Sequence, residues 1–272
     1  MRIASLHVYP VKSLRGMDVG AADVERQGLR GDRRWMVIEH DGSNLTARKH
    51  PPMLGVRAVA DGAAGLRLSA AGLPDLHVEA PGTDVERIEV GLSRVGTATP
   101  AGEAADAWLT RALDRPARLV WLDDPTRRSV APEHGGRPGD TLSFADDGPL
   151  LVTTTASMER LNAWIREAHP EHATLPMERF RPNLVVDGAD EPFAEDAWRS
   201  MRVGDVELRF AEQCDRCVMT TIDLETLRTG KEPIRTLARH RRWDGKTWFG
   251  VRMVPVTTGR VAVGDAVEVA DA

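Results

Sequence analysis

Strand-length apolar runs, cut short repeatedly by turn residues, constrain this chain more than any other feature. Residues 2–9 (Arg-Ile-Ala-Ser-Leu-His-Val-Tyr) read as a strand that stops at Pro10. Similar runs fall at 34–39, 66–70, 76–80 and 86–90. Asp-Gly-Ser-Asn, Ala-Asp-Gly and Ala-Ala-Gly-Leu-Pro separate them, and these are the residues that tight turns demand. The spacing predicts an antiparallel barrel or meander over the first ninety residues.

Helical periodicity is rarer. Ala105, Trp108, Leu109, Ala112 and Leu113 share one face of a predicted helix over 102–114, and a strand follows at 117–122. Residues 123–147 are rich in Asp, Pro, Gly and Arg and read as a long mobile loop. A domain boundary belongs at its start, giving domains 1–122 and 123–272. The second half opens on a buried strand ending at Thr154, followed by a helix over 156–168 with Met158, Leu161, Ile165 and Ala168 at helical spacing. Further strands are expected at 184–187, 206–210, 217–222, 248–254 and 260–269, with a short helix over 232–241. Residues 201–208 echo 261–269, each placing Val-Gly-Asp before an alternating run, as two hairpin turns of one barrel would. The fold class is α+β, mainly β.

Charge and composition narrow the function. Charged residues make up 28% and apolar ones 42%, so the chain can bury a core and is not disordered. With 36 basic against 41 acidic residues, the net charge of −5 argues against nucleic acid as a partner. His7, Pro10 and Lys12 break the N-terminal apolar stretch, so no signal peptide is expected, and no run approaches the ~20 apolar residues of a membrane segment. Two cysteines three apart cannot build a disulfide framework, which points to a cytoplasmic protein.

Those cysteines, Cys214 and Cys217, are the sharpest chemical signal. A structural zinc site lacks its second ligand pair. A thioredoxin-type motif needs a following helix, whereas Val-Met-Thr-Thr-Ile reads as a strand. One thiolate could instead ligate a soft metal held mainly by something else, with Arg216 beside Cys217 favouring the charged form. Burial as two small core residues competes on equal terms.

Other polar groups cluster at strand ends. Lys12 and Ser13 follow the first strand, and Arg33 and Arg34 begin another; ammonium, hydroxyl and guanidinium all suit a phosphate, although ordinary surface charge is the commoner fate of any single arginine. Arg181 and Asn183, spaced by Pro182 onto one face of an extended segment, can read a heterocycle edge or a phosphate. Thr154, Thr155 and Ser157 stand where a strand gives way to a helix, a seat for an anion or a simple cap. No Gly-x-Ser-x-Gly, phosphate-loop or dinucleotide fingerprint occurs.

In order along nearly the whole chain, Val-Tyr-Pro-Val-Lys-Ser-Leu-Arg-Gly, Gly-Leu-Arg-Gly-Asp-Arg-Arg-Trp-Met-Val-Ile, Leu-Thr-Ala-Arg, Phe-Arg-Pro-Asn-Leu-Val-Val, Val-Gly-Asp-Val-Glu-Leu, Cys-Asp-Arg-Cys-Val-Met-Thr-Thr-Ile-Asp and Val-Gly-Asp-Ala-Val-Glu-Val resemble MOSC-domain proteins with a MOSC N-terminal β-barrel in front, within these the amidoxime-reducing component family and its bacterial relatives. The resemblance implies a MOSC N-terminal β-barrel domain followed by a MOSC β-barrel domain with flanking helices. It implies a molybdenum cofactor, a metal on a pterin dithiolene with a terminal phosphate, ligated through the position of Cys217 as catalytic and metal-binding residue. Lys12, Ser13, Arg33, Thr154, Thr155, Arg181, Asn183, Asp215 and Arg216 match the family's pterin and phosphate positions. The implied activity is reduction of N-hydroxylated compounds, amidoximes and hydroxylamines. No cysteines remain for an iron–sulfur cluster, so electrons are expected from a separate donor such as a ferredoxin or flavoprotein reductase. A cofactor-binding or sulfur-carrier module without turnover is the alternative. Asp215 stands where relatives can have a small neutral residue.

Overall fold

The computed structural model describes residues 1–62 and 64–271. A nine-stranded sheet dominates it, in the order Val267–Asp271, Trp198–Val203, Val206–Asp215, Lys246–Pro255, Leu150–Thr154, Leu184–Asp187, Arg2–Val8, Met17–Val19, with Arg242–Trp243 on a side branch. One end strand meets the last strand but one at the other side: Arg2 bridges Ala266, and Val267 N donates to Met1 O at 3.0 Å. The sheet is mostly antiparallel; Leu150–Thr154 runs parallel to Leu184–Asp187, with the helix Thr155–Ala168 between them in sequence. Parallel neighbours need such a crossover.

The first strand belongs to this large sheet. Arg2–Val8 pairs with Leu184–Asp187 on one side and Met17–Val19 on the other. Gly259–Ala262 likewise pairs with Ala21–Glu25. Residues on the early side of position 122 thus complete the sheet of the later half, and Ile3, Leu6 and Val8 pack in one core with Leu184, Val251 and Met253. Two smaller sheets occupy the early half, Trp35–Ile38 with Arg118–Trp121, Thr97–Pro100 and Ile88–Glu89, and Arg57–Asp61 with Gly65–Ser69 and Leu76–Val78. The helix Glu103–Leu113 covers them with Ala105, Trp108, Leu109 and Leu113, the face its periodicity indicates, and ends where Asp114 turns left-handed. Among the described residues no helix is long and apolar enough to cross a membrane.

Three expectations need correcting. Residues 218–221 form a single 3-10 turn, not a strand. The Thr220 and Thr221 hydroxyls donate to the carbonyls of Cys217 at 3.0 Å and Val218 at 2.7 Å, so local side-chain bonds override β-propensity. The two Val-Gly-Asp turns are unlike: the first closes a hairpin between Trp198–Val203 and Val206–Asp215, whereas the second carries the chain from the Ala21–Glu25 sheet into the large one. The segment 123–147 is pinned rather than loose. Arg128, 1% exposed, donates to the carbonyls of Ser143, Ala145 and Asp146, and Leu142 and Phe144 are wholly buried.

Candidate active site

An open cleft lies where the two halves of the chain meet, enclosing about 830 Å³ of space including its mouth. Lys12, Ser13, Arg33, Arg181, Asn183, Asp215, Arg216 and Cys217, eight of the residues singled out from sequence, line it together. Arg48, Asp146, Asp147, Arg179, Cys214 and Arg252 join them. Seven cationic side chains therefore face three carboxylates, in a chain whose net charge is −5.

The backbone is unusual here. Ser13 has φ 66°, Arg33 φ 47° and Arg181 φ 57°, three of the eight non-glycine residues with positive φ among those described. Left-handed geometry costs a side-chain-bearing residue of order 1 kcal/mol or more, so the surrounding structure must hold it in place. It also corrects the picture of Arg181 and Asn183 on one extended strand: Arg181 ends the 3-10 turn Met177–Phe180, and only after Pro182 does the chain extend.

The guanidiniums are placed from across the fold. Arg33 Nη1 pairs with Asp32 and donates to Asn183 Oδ1 at 2.9 Å, while Nη2 donates to Arg181 O at 3.2 Å. Arg181 Nη1 donates to Leu14 O at 2.6 Å, and its Nη2 is buried without a partner. Burial, followed by the charge of Arg33, pushes Arg181 down to about 10, which still leaves it charged at neutral pH. Asn183 is heavily engaged by the protein itself. Its Oδ1 accepts from Arg33 and from Leu151 N at 3.1 Å, and its Nδ2 donates to His7 O at 3.2 Å, so it braces three segments.

Lys12 is 5% exposed and donates to Phe144 O at 2.9 Å and to Asp146. Burial lowers its pKa even with Asp146 alongside. It stands at the cleft as half of an ion pair. Arg252 joins Glu212, Asp147 at 3.3 Å and Asp215 at 3.0 Å. Burial disfavours the charged form of Asp215, but Arg252 outweighs it and holds the carboxyl below its usual range.

The two cysteines divide sharply. Cys214 is 5% exposed, and Arg216 Nη1 donates to its Sγ at 2.8 Å; Arg216 thus serves Cys214, not Cys217 as adjacency suggested. Cys217 is exposed and precedes the 3-10 turn. Among the described residues no group of three or more His, Cys, Asp or Glu is placed to hold a metal ion. A metal on Cys217 would need its remaining donors from a carrier molecule. Arg181 Nη2 and Arg216 Nε are buried donors without partners, on two arginines that line the cleft.

Thr154 and Thr155 stand apart and do not line the cleft. Thr154 caps the helix, its Oγ1 accepting from Ser157 N at 3.1 Å, and Thr155 Oγ1 donates to Asp187 at 2.9 Å. The protein's own carboxyl group occupies the helix start: Glu195, wholly buried, accepts from Ser157 Oγ at 2.8 Å and Thr154 Oγ1 at 3.1 Å. Sequence reasoning missed Arg252, Asp146 and Asp147, which no local pattern marks, and passed over Arg179, the first residue of the Arg-Phe-Arg-Pro-Asn stretch. Arg48 was within reach, as the last residue of the Leu-Thr-Ala-Arg stretch.

Comparison with known proteins agrees with the ordered motifs. The family model for the MOSC N-terminal beta barrel domain matches residues 1–116, and that for the MOSC domain matches residues 139–268. Human mitochondrial amidoxime-reducing component 1 is 36% identical over 97% of this chain and 82% of its own length. Human mitochondrial amidoxime reducing component 2 is 31% identical over 97% and 82%. The tomato (Solanum lycopersicum) molybdenum cofactor sulfurase is 29% identical over 92% of this chain, which spans 32% of that longer protein. This chain belongs to the MOSC-domain family whose members carry the MOSC N-terminal β-barrel, and the mitochondrial amidoxime-reducing components are its homologues.

Proposed function

We propose that this protein is a molybdenum-cofactor oxidoreductase that reduces N-hydroxylated compounds, amidoximes and hydroxylamines, with electrons from a separate redox protein. One observation carries the reading: an exposed thiol, Cys217, shares a cationic cleft with unpartnered guanidinium N–H groups. A phosphate-bearing pterin that brings its own sulfur donors matches that set, because one protein thiolate then suffices. The names of the human relatives support the substrate class, and the word "component" in them fits an electron donor on another chain.

When bound, the cofactor supplies a two-electron redox centre; converting N–OH to N–H consumes two electrons and two protons and releases water. The chain's own residues do the rest. Cys217 offers the thiolate ligand. Arg181 and Arg216 would supply positive charge to the phosphate, and Arg33, fixed by Asp32 and Asn183, adds charge beside them. The pairs Lys12–Asp146 and Arg252–Asp215 set the local field while keeping each other charged. Asn183 acts by bracing Arg33, and Thr154 and Thr155, which lie outside the cleft lining, serve the helix start. We place the division between the N-terminal barrel domain and the cofactor-binding domain near residue 122, and the protein in the cytoplasm.

The similarity to the tomato sulfurase favours a second reading, a cofactor-binding or sulfur-carrier module without redox turnover. Protein from a molybdenum-replete host should contain molybdenum and release a fluorescent oxidised pterin, and it should reduce benzamidoxime with a chemical reductant. Folded protein devoid of metal and pterin would sink the first reading; bound cofactor without turnover would select the second.

A further inference from the structure

Tyr9 is the single tyrosine of the sequence, and its ring is buried, 4% exposed. Its hydroxyl has no hydrogen-bond partner, and burial keeps the phenol protonated. An unbonded buried hydroxyl is a cost that an apolar residue would avoid, so hydrogen bonding does not explain the residue. Its ring face does have partners. The Arg181 guanidinium carbon lies 4.2 Å from the ring centroid and that of Arg33 lies 4.5 Å from it. The backbone ties the same residues together: Arg33 N donates to Tyr9 O at 2.8 Å, and Tyr9 N donates to Asp32 Oδ1 at 2.8 Å. Gly16 leaves room for the ring, since a Cβ there would fall 2.4 Å from Tyr9 Cδ1 and 2.5 Å from Val8 O.

Two neighbouring, largely covered guanidiniums repel each other, while an aromatic ring attracts both. Both arginines line the cleft and both hold left-handed backbone. We infer that Tyr9 is a positioning residue for anion recognition: its ring holds Arg33 and Arg181 as a preorganised pair, so a phosphate entering the cleft meets fixed donors. Preorganisation raises affinity by removing the ordering cost from the binding step. The inference rests on reading the cleft as the site of a phosphate-bearing cofactor.

The test uses the full chain freed of cofactor, as wild type, Tyr9→Phe and Tyr9→Leu. Calorimetric titration with inorganic phosphate reads the arginine pair directly, melting temperature reads the fold, and molybdenum per folded protein is measured on the as-isolated samples. Tyr9→Phe keeps the ring face and should bind phosphate within about threefold of wild type, whereas Tyr9→Leu should bind it at least about tenfold more weakly. A purely structural ring would lower melting temperature and leave phosphate affinity of the folded fraction unchanged, which overturns the proposal. So does equal weakening in Tyr9→Phe, which would assign the effect to the hydroxyl, or a wild type that binds no phosphate. Should Tyr9→Leu fail to fold, Tyr9→Met, which keeps an apolar side chain of similar reach without a ring face, takes its place and should weaken phosphate binding in the same direction; unchanged binding there refutes the idea. A wild type that binds phosphate with the expected Tyr9 contrast, yet carries no molybdenum or pterin, defeats the functional reading and leaves the role of Tyr9 standing.

Discussion

Replacing the two cysteines one at a time should separate fold from function. Cys217 is exposed and its side chain has no hydrogen-bond partner among the described residues, so Cys217→Ala should change stability by no more than about 0.5 kcal/mol. Cys214 is buried and takes the Arg216 Nη1 bond at 2.8 Å. Cys214→Ala removes a buried sulfur and leaves a second Arg216 donor unpartnered beside Nε, a loss of about 1–3 kcal/mol. For a chain of this size each kcal/mol is worth about 2–4 °C, giving a fall of roughly 2–12 °C against no more than about 2 °C for Cys217→Ala. Metal content should move the other way: Cys217→Ala loses molybdenum and benzamidoxime turnover, and Cys214→Ala retains much of both. Differential scanning fluorimetry and elemental analysis of the same gel-filtered samples check the pair of claims. Equal loss of metal in both variants, or metal kept by Cys217→Ala and lost by Cys214→Ala, would undo the single-ligand assignment.

Two further predictions concern groups whose roles the fold redefined. Asn183→Ala should cost about 2–4 kcal/mol, because it strips partners from Leu151 N, His7 O and Arg33, whereas Arg181→Ala should lower molybdenum occupancy more than stability; the melting temperatures and metal contents of the two variants, compared side by side, decide it. Burial raises the pKa of Glu195 above its ordinary value, so the folded state binds a proton more tightly than the unfolded one. Stability from this group is complete below about 4.5 and is lost as pH rises through the folded value. Glu195→Gln should therefore be more stable than wild type at neutral pH, with the gap closing below that range; urea titrations across pH would contradict this by showing a constant gap.

The legible part of this protein was local. Alternating runs and turn residues placed most strands, and one-sided apolar spacing placed the helices Glu103–Leu113 and Thr155–Ala168 close to their true limits. The Cys-x-x-Cys segment and the Phe-Arg-Pro-Asn stretch drew attention to side chains that do line the cleft. The strand expected over 217–222 failed for a local reason of its own: threonine hydroxyls bonded back to the chain and made a turn.

The sequence by itself determined the grammar of elements, the set of candidate side chains and, through ordered motifs, the family. Tertiary structure alone decided which candidates are available. Asn183 and Lys12 are engaged by groups far away in sequence, Thr154 meets a carboxylate from residue 195, and the first strand finds its neighbour at Leu184–Asp187. It also decided which sulfur is open to the cleft, a matter of what packs around each cysteine rather than of their spacing. The physical reason is common to all: whether a polar group is free depends on the partner that desolvation forces upon it, and the fold brings that partner in, from residues more than a hundred positions away for Lys12 and for Arg33 with Asn183, and 41 away for Thr154.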